Sequence, residues 1–196
     1  LEFRRVLFRS SKKIRVVADE CFLRFHPHYE KMSCKRFLKQ YPNLLIVNAF
    51  TKFYAMAGLR LGYLMTGDLS LLHAVAQQLP EWNVSSIAQR AGISALQDTE
   101  YEKRTRQLIE KERRYLIQEF LKMGCTVFPS EADYITFRLP QEKTGFLLKE
   151  RLLEGKILIR SCANYRNMPP DCYRIAVKQH ADNEELVRQV WRILIQ

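Results

Sequence analysis

The chain has 196 residues, of which 47% are hydrophobic, and a formal net charge of +11. This length allows one large or two small domains, and the hydrophobic fraction is sufficient to build a core. No apolar stretch has the length needed to span a bilayer, which argues against a membrane protein.

The positive charge does not by itself indicate nucleic-acid binding. Lysines and arginines are scattered among acidic neighbours, as in Glu100–Arg104 and Glu110–Arg114, a pattern typical of a solvated helix face. The five cysteines are odd in number and lack C-x-x-C spacing. They favour reduced thiols in the cytoplasm over a disulfide framework or a zinc site, and we predict no metal centre.

Hydrophobic periodicity and turn signals predict two successive parts. The first contains strands and helices in alternation: strands Ile14–Ala18, Leu44–Asn48 and Leu61–Met65, then helices Leu69–Gln78 and Ser85–Leu96. A long helix, Tyr101–Met123, leads into the second part, with strands Thr126–Pro129, Tyr134–Leu139, Ile157–Arg160 and Tyr173–Val177 and helices Gly145–Leu153 and Asn183–Ile195. The first part is typical of a doubly wound α/β sheet and the second of an α+β domain.

The most informative stretch is TKFYAMAGLRLGY, which sets Lys52 beside the hydroxyl of Thr51 and places Arg60 eight positions further on. A lysine amine in a partly desolvated pocket loses its proton more readily and can attack an aldehyde, while arginine provides a planar fork for a phosphate dianion. This spacing matches a covalent pyridoxal-phosphate anchor. Alternatively, Arg60 is a solvated charge beside a glycine turn.

Asp19 ends the first predicted strand. A carboxylate at the carboxyl end of a parallel strand points into the ligand crevice of an open sheet, where it can pair with a protonated pyridine nitrogen. The alternative makes Asp19 a helix cap and Glu20 a surface charge.

These segments together resemble the class I/II aminotransferase superfamily, the fold type I pyridoxal-phosphate enzymes. FTKFYAMAGLRLGY, LIRSCANY and YRIAVK are most similar to the threonine-phosphate decarboxylases, and next to the histidinol-phosphate aminotransferases. The resemblance implies an α/β fold: the C-terminal part of an aminotransferase-like large domain with a mixed, mostly parallel sheet, followed by an α+β small domain.

The resemblance also implies roles for individual residues. Lys52 and Asp19 are catalytic, and Thr51 and Arg60 bind the cofactor with them. Arg174 in YRIAVK grips the substrate carboxylate, and Arg160 and Asn164 help to bind substrate. Arg160 has an alternative role as a strand-end arginine paired with Glu150 or Asp171, and Tyr54 is either a pocket wall or a packing residue.

Family members also have a glycine-rich phosphate loop and an Asn-Pro-x-x-Pro-x-Gly segment, and neither motif occurs in this chain. We therefore expect a C-terminal half that is inactive alone: 11–100 as a partial cofactor-binding large domain, 101–123 as a connecting helix and 124–196 as the small domain. Residues 1–10 are expected to be a non-native leader, because VLFRS back-translates to a string that resembles the end of a sequencing adapter.

The implied activity is decarboxylation of L-threonine O-3-phosphate to aminopropanol phosphate, a cobalamin-pathway step. The alternatives are a histidinol-phosphate-type aminotransferase and a non-enzymatic sensing domain with the same fold. The full-length protein is expected to be a cytoplasmic homodimer that acts on a small phosphorylated amino acid, with no nucleic-acid or membrane partner.

Overall fold

The structure is a computed structural model that describes residues 14–143, 145 and 147–195. The predicted leader, residues 1–10, lies outside the described residues. The chain divides into two compact units with the boundary between Glu102 and Lys103.

The first unit contains a three-stranded mixed sheet formed by β1 (Val16–Asp19), β2 (Leu44–Ala49) and β3 (Gly62–Thr66). β2 lies in the centre, parallel to β1 and antiparallel to β3. All three strands lie within two residues of their predicted bounds, because short β-branched or aromatic runs are favoured in a half-buried pleated surface.

A series of short helical turns joins β1 to β2: the 3-10 helices Leu23–Phe25 and Cys34–Phe37, with helix α1 (Tyr29–Met32) between them. They cover one face of the sheet, and a buried cluster forms beneath them from Ala18, Cys34, Phe37, Leu44 and Ile46. The sequence pattern did not predict these turns, since each is too short to show hydrophobic periodicity.

Two longer helices follow β3, namely α2 (Leu69–Gln78) and α3 (Ser86–Gln97). The side chain of Asp68 caps the first by accepting from the amide of Leu71 at 3.0 Å, and Ser85 caps the second by accepting from Ala88 at 3.2 Å. Such caps satisfy amide groups that the first turn of a helix leaves without partners. Within the described residues, no helix combines the length and apolarity needed to cross a membrane.

The second unit begins within the long helix α4 (Thr99–Lys122). Its strands and remaining helices are β4 (Thr126–Phe128), β5 (Tyr134–Arg138), α5 (Leu148–Glu154), β6 (Arg160–Ser161), β7 (Cys172–Ala176) and α6 (His180–Leu194). The four strands form an antiparallel sheet with the order β4-β5-β7-β6.

One face of this sheet is buried, with Ile135 and Phe137 of β5 and Ile175 of β7 on it. The ring of Phe120 in α4 lies 4.3 Å from that of Phe137. The opposite face carries Thr136 and Arg174, because side chains alternate along a strand.

Two predictions about the helices and strands of this unit need correction. The strand predicted at Ile157–Arg160 is only Arg160–Ser161, because Lys156 adopts a positive φ of 61° after α5 and the next residues do not join the ladder. The predicted solvated face of α4 is also wrong in part, since Glu112 and Arg113 are buried. Glu112 accepts hydrogen bonds from Asn183 and His180, both at 3.0 Å.

Candidate active site

Lys52 and Arg60 lie on one loop, Thr51–Arg60, which connects β2 to β3 and is called the lysine loop below. The amide of Phe50 donates to the carbonyl of Leu61 at 3.0 Å and closes the base of the loop. Gly62 is required there, because a Cβ atom at this position would lie 2.9 Å from the carbonyl oxygen of Asn48. The backbones of β2 and β3 therefore approach closely where the loop begins and ends.

The lysine loop contains two non-glycine residues in the left-handed region, Ala55 and Arg60, both with φ of 54°. Such a conformation costs roughly 1–2 kcal/mol for a residue with a Cβ atom. Lys52 is exposed between the base of the loop and this strained turn. Arg60 is also exposed and donates one hydrogen bond within the loop, from Nη1 to the carbonyl of Ala57 at 3.1 Å. A guanidinium has five N–H donors, so this bond leaves others for an anion.

Asp19 is the last residue of β1 and is exposed. Its Oδ1 accepts from the amide of Cys21 at 2.9 Å. Hydrogen bonds from the thiol and amide of Cys21 lower the pKa of the Asp19 carboxyl, so it is ionised at neutral pH. The turn that follows Asp19 is a short 3-10 helix and not an α-helix. The alternative interpretation of Asp19 as a helix cap therefore accounts only for its hydrogen bond with the amide of Cys21.

The thiol of Cys21 responds to the charges of both Asp19 and Lys52. Burial, the hydrogen bond to Asp19 and the negative charge of Asp19 together raise the pKa of the Cys21 thiol to about 11, while the positive charge of Lys52 acts in the opposite direction. Cys21 is therefore a reporter of both charges. Sequence analysis did not single out Cys21, because a lone cysteine carries no pattern.

Glu20 is not the surface charge considered in the alternative interpretation, since only 5% of its surface is exposed. Its carboxylate accepts from the hydroxyl of Ser33 at 2.9 Å and the amide of Cys34 at 2.7 Å. It therefore anchors the turns that cover the sheet, while the neighbouring Asp19 remains accessible.

In the second unit, Arg160 of β6 lies directly opposite Arg174 of β7. Residues opposite each other in an antiparallel pair share a face and have Cβ atoms about 5 Å apart, and like charges in this position are destabilising. Within residues 14–143, 145 and 147–195, neither guanidinium is paired with a carboxylate. Asp171, considered earlier as a partner of Arg160, pairs instead with Arg138 at 2.8 Å.

The neighbours of the two arginines orient them. Arg160 donates from Nη2 to Oδ1 of Asn164 at 3.2 Å. The guanidinium of Arg174 lies 4.8 Å from the ring centroid of Tyr134, a favourable cation–π distance. The three predicted substrate-binding residues therefore lie together in this unit.

A cavity of about 350 Å³ lies in the first unit. Its lining among the described residues does not include the predicted cofactor-binding side chains; it is formed by Glu20, Leu23, Arg24, Tyr29, Glu30, Ser33, Lys35, Asn48 and Tyr63.

The family model for aminotransferase class I and II matches residues 3–190. The chain therefore belongs to the class I and II aminotransferase family. Its α/β fold agrees with this membership, since it matches the histidinol-phosphate aminotransferase structure from Clostridium acetobutylicum with a TM-score of 0.91 at 31% identity, over 99% of this chain and 58% of that one.

Two curated relatives carry different activities in their names. The chain is 35% identical to the threonine-phosphate decarboxylase of Salmonella typhimurium over 94% of its own length and 50% of the relative. It is 32% identical to the histidinol-phosphate aminotransferase of Oleidesulfovibrio alaskensis over 91% of its length and 46% of the relative. The chain thus spans about half the length of these relatives.

The proximity of Asp19, Cys21 and Lys52 can be tested without any cofactor. Asp19→Asn should lower the pKa of Cys21 and speed its alkylation at pH 8 by about three- to tenfold, because the thiolate is the reactive form and a pKa unit is a tenfold change in its fraction. Lys52→Met should slow the reaction, because a stabilising positive charge is removed.

Alkylation of the Cys21 peptide is followed by mass spectrometry, with the buried thiols of Cys34 and Cys125 as internal references. Equal alkylation rates in the parent chain and both variants would contradict the arrangement.

Proposed function

We propose that the chain carries the lysine-bearing part of a pyridoxal-phosphate enzyme that decarboxylates L-threonine O-3-phosphate to aminopropanol phosphate. The observation that carries the class of substrate, a small amine with a phosphate, is the cross-strand pair Arg160–Arg174, whose two positive charges have no carboxylate partner within the described residues. A substrate with a carboxylate and a phosphate supplies the negative charge that such a pair requires.

The cofactor assignment is supported by the family and by the donor set. A structural relative from Sinorhizobium meliloti was solved with pyridoxal 5'-phosphate. In this chain, the ionised Asp19 fits a protonated pyridine nitrogen, Lys52 offers the exposed amine of a covalent anchor, and Thr51 and Arg60 offer donors to a phosphate. The cofactor, when bound, withdraws electrons from the substrate α-carbon.

The residues of the chain act on charge, orientation and proton position. Asp19 keeps a negative charge at the strand end, because its pKa lies below the ordinary value. Arg174 holds the substrate carboxylate, and Arg160, oriented by Asn164, holds the second anionic group. The neutral Lys52 amine accepts a proton at its Nζ, and the protonated amine can return that proton.

A histidinol-phosphate-type aminotransferase is the second candidate, favoured by the 31% identity to the Clostridium structure. It uses the same residues but breaks the Cα–H bond rather than the bond to the carboxylate. Both candidates act on a phosphate-bearing amine, which fits the arginine pair.

The domain division follows from the same proposal: 11–100 is part of a large domain, 101–123 a connecting helix and 124–196 a small domain. It is supported by the two compact units and by helix α4, which contains their boundary. A homodimer of the whole enzyme is supported by apolar side chains exposed in the first unit, such as Leu69, Ile87 and Trp82. The free thiols fit a cytoplasmic location.

The reaction is tested in the whole enzyme with threonine phosphate and without a 2-oxo acid. Carbon dioxide and aminopropanol phosphate are expected as products. Arg174→Ala should weaken transition-state binding by roughly 2–5 kcal/mol, because it truncates one partner of a desolvated charge pair. Formation of a 2-oxo product only when an amino acceptor is present would favour the aminotransferase instead.

The lysine assignment is tested on the chain itself. Saturating pyridoxal phosphate followed by borohydride should leave a pyridoxyl label on the peptide that contains Lys52, and Lys52→Ala should lose it. We expect weak binding, in the millimolar rather than the micromolar range, because the family's glycine-rich phosphate loop is absent from this sequence. A label of equal yield spread over surface lysines such as Lys103 or Lys111 would refute a special role for Lys52.

The arginine pair is tested with inorganic phosphate alone. If phosphate binds the folded state at this pair, it should raise the unfolding temperature of the chain, with a shift that grows as the logarithm of phosphate concentration above its dissociation constant. Arg160→Gln and Arg174→Gln should each abolish this shift, whereas Arg192→Gln, an exposed arginine of α6, serves as the matched control. An equal shift in all the variants would show a non-specific salt effect and would exclude the pair as an anion site.

A further inference from the structure

The two residues that follow Lys52 are buried, although Lys52 itself is exposed. Phe53 is 2% exposed and Tyr54 is 7% exposed. The ring of Phe53 lies 5.1 Å from that of Phe25 in an edge-on arrangement, and the ring of Tyr54 lies 5.2 Å from that of Phe50. The C-terminal side of Lys52 is therefore inserted into the core of the first unit.

The Tyr54 hydroxyl does not end in an apolar environment. It donates to Oε1 of Glu102 at 2.6 Å, and Nη2 of Arg24 pairs with the same oxygen at 2.6 Å. Glu102 is 7% exposed, so its charge is held in a largely desolvated position, where hydrogen bonds are strong and their loss is costly. Burial and the Glu102 hydrogen bond raise the pKa of Tyr54, which keeps its hydroxyl protonated as a donor.

Arg24 also contacts the aromatic rings around this carboxylate. Its guanidinium carbon lies 5.2 Å from the ring centroid of Tyr54 and 5.3 Å from that of Tyr29. The start of α4 adds a direct contact to the backbone of the lysine loop, because the hydroxyl of Tyr101 donates to the carbonyl of Phe53 at 3.1 Å.

The three charged or polar side chains belong to three separate segments. Tyr54 lies in the lysine loop, Glu102 in α4, and Arg24 in the 3-10 helix that begins four residues after Asp19. The Glu102 carboxylate thus connects the segment that carries Lys52 with the segment that follows Asp19. No motif in the sequence indicated this connection, since Tyr54 had an open interpretation and Glu102 was assigned to a solvated helix face.

We propose that Tyr54, Glu102 and Arg24 form a positioning network that holds Lys52 at the proper distance from Asp19. This inference rests on the proposed function, in which these two residues contact the same cofactor. The network acts on the backbone of the lysine loop: Tyr54 precedes the left-handed Ala55, whose amide donates to the carbonyl of Lys52 at 3.0 Å. Without the Tyr54 hydroxyl bond, the strained turn loses one of the contacts that maintain it.

The test uses Tyr54→Phe in the 196-residue chain, because this change keeps the ring and removes only the hydroxyl. Tyr41→Phe is the matched control. Tyr41 is a partly buried tyrosine of the same unit that packs against the buried cluster beneath the short turns, and no hydrogen bond of its hydroxyl occurs among the described residues. Glu102→Gln is the second variant, since it keeps an acceptor for Tyr54 and removes the charge that Arg24 pairs with.

Two measurements need no cofactor. Hydrogen exchange of the Ala55 and Met56 amides should be about tenfold or more faster in Tyr54→Phe, because a hydrogen bond to a charged group is worth at least that factor. Alkylation of Cys21 should slow in the same variant, as the Lys52 charge moves away from the thiol. Glu102→Gln should show smaller changes in the same direction, and Tyr41→Phe should show none.

The third measurement is the borohydride-trapped pyridoxyl label on Lys52, whose yield should fall in Tyr54→Phe and stay at the parent level in Tyr41→Phe. Unchanged exchange, alkylation and labelling in Tyr54→Phe would overturn the positioning network and leave the proposed function intact. Faster exchange and slower alkylation, with no label on Lys52 even in the parent chain, would support the network and overturn the proposed function. If amides throughout the first unit exchanged faster in Tyr54→Phe by a similar factor, the hydroxyl would have a general packing role, and this result would also overturn the network.

Discussion

The parallel pairing of β1 with β2 brings the two candidate site residues of the first unit, Asp19 and Lys52, to one edge of the sheet. Parallel strands end at the same edge of a sheet, so Asp19 at the end of β1 and the loop that leaves β2 after Ala49 emerge side by side. The buried cluster under the short turns maintains this register, because Ala18 and Ile46 are paired and buried on the covered face. A slip of one residue would turn Asp19 toward that face and bury its charge.

Much of this arrangement could be predicted from local sequence. The strands, the capped helices and the long helix α4 each have a hydrophobic periodicity or a capping residue in the sequence. These signals predict where each of them begins and ends to within a few residues. The candidate site residues Asp19 and Lys52 could also be proposed, because a strand end and a lysine that follows a hydroxyl residue before a glycine turn are local signals. These signals contain no distances, so the hydrogen bond between Asp19 and Cys21 and the influence of the Lys52 charge on the same thiol could be found only from the structure.

Three buried glutamates mark the limit of prediction from local patterns. Glu20, Glu102 and Glu112 are all flanked by charged or polar residues in sequence, as solvated side chains usually are, yet each is less than 8% exposed. Their partners are distant in the chain: Cys34 for Glu20, Tyr54 for Glu102 and Asn183 for Glu112. A buried carboxylate is tolerated only when its oxygens are satisfied, and neither its burial nor its donors can be recognised from periodicity.

The buried glutamates and the two cross-strand arginines differ in how their charges are balanced. Each glutamate has hydrogen-bond donors within its own unit that satisfy its buried charge. Arg160 and Arg174 instead face each other across two strands with no carboxylate partner among the described residues, and the lysine loop holds Ala55 and Arg60 in the left-handed region. Repulsion and backbone strain of this kind reduce stability, and they persist where a ligand or a reaction requires them. The same sequence thus compensates charge in its core and leaves it uncompensated at the positions proposed to bind cofactor and substrate.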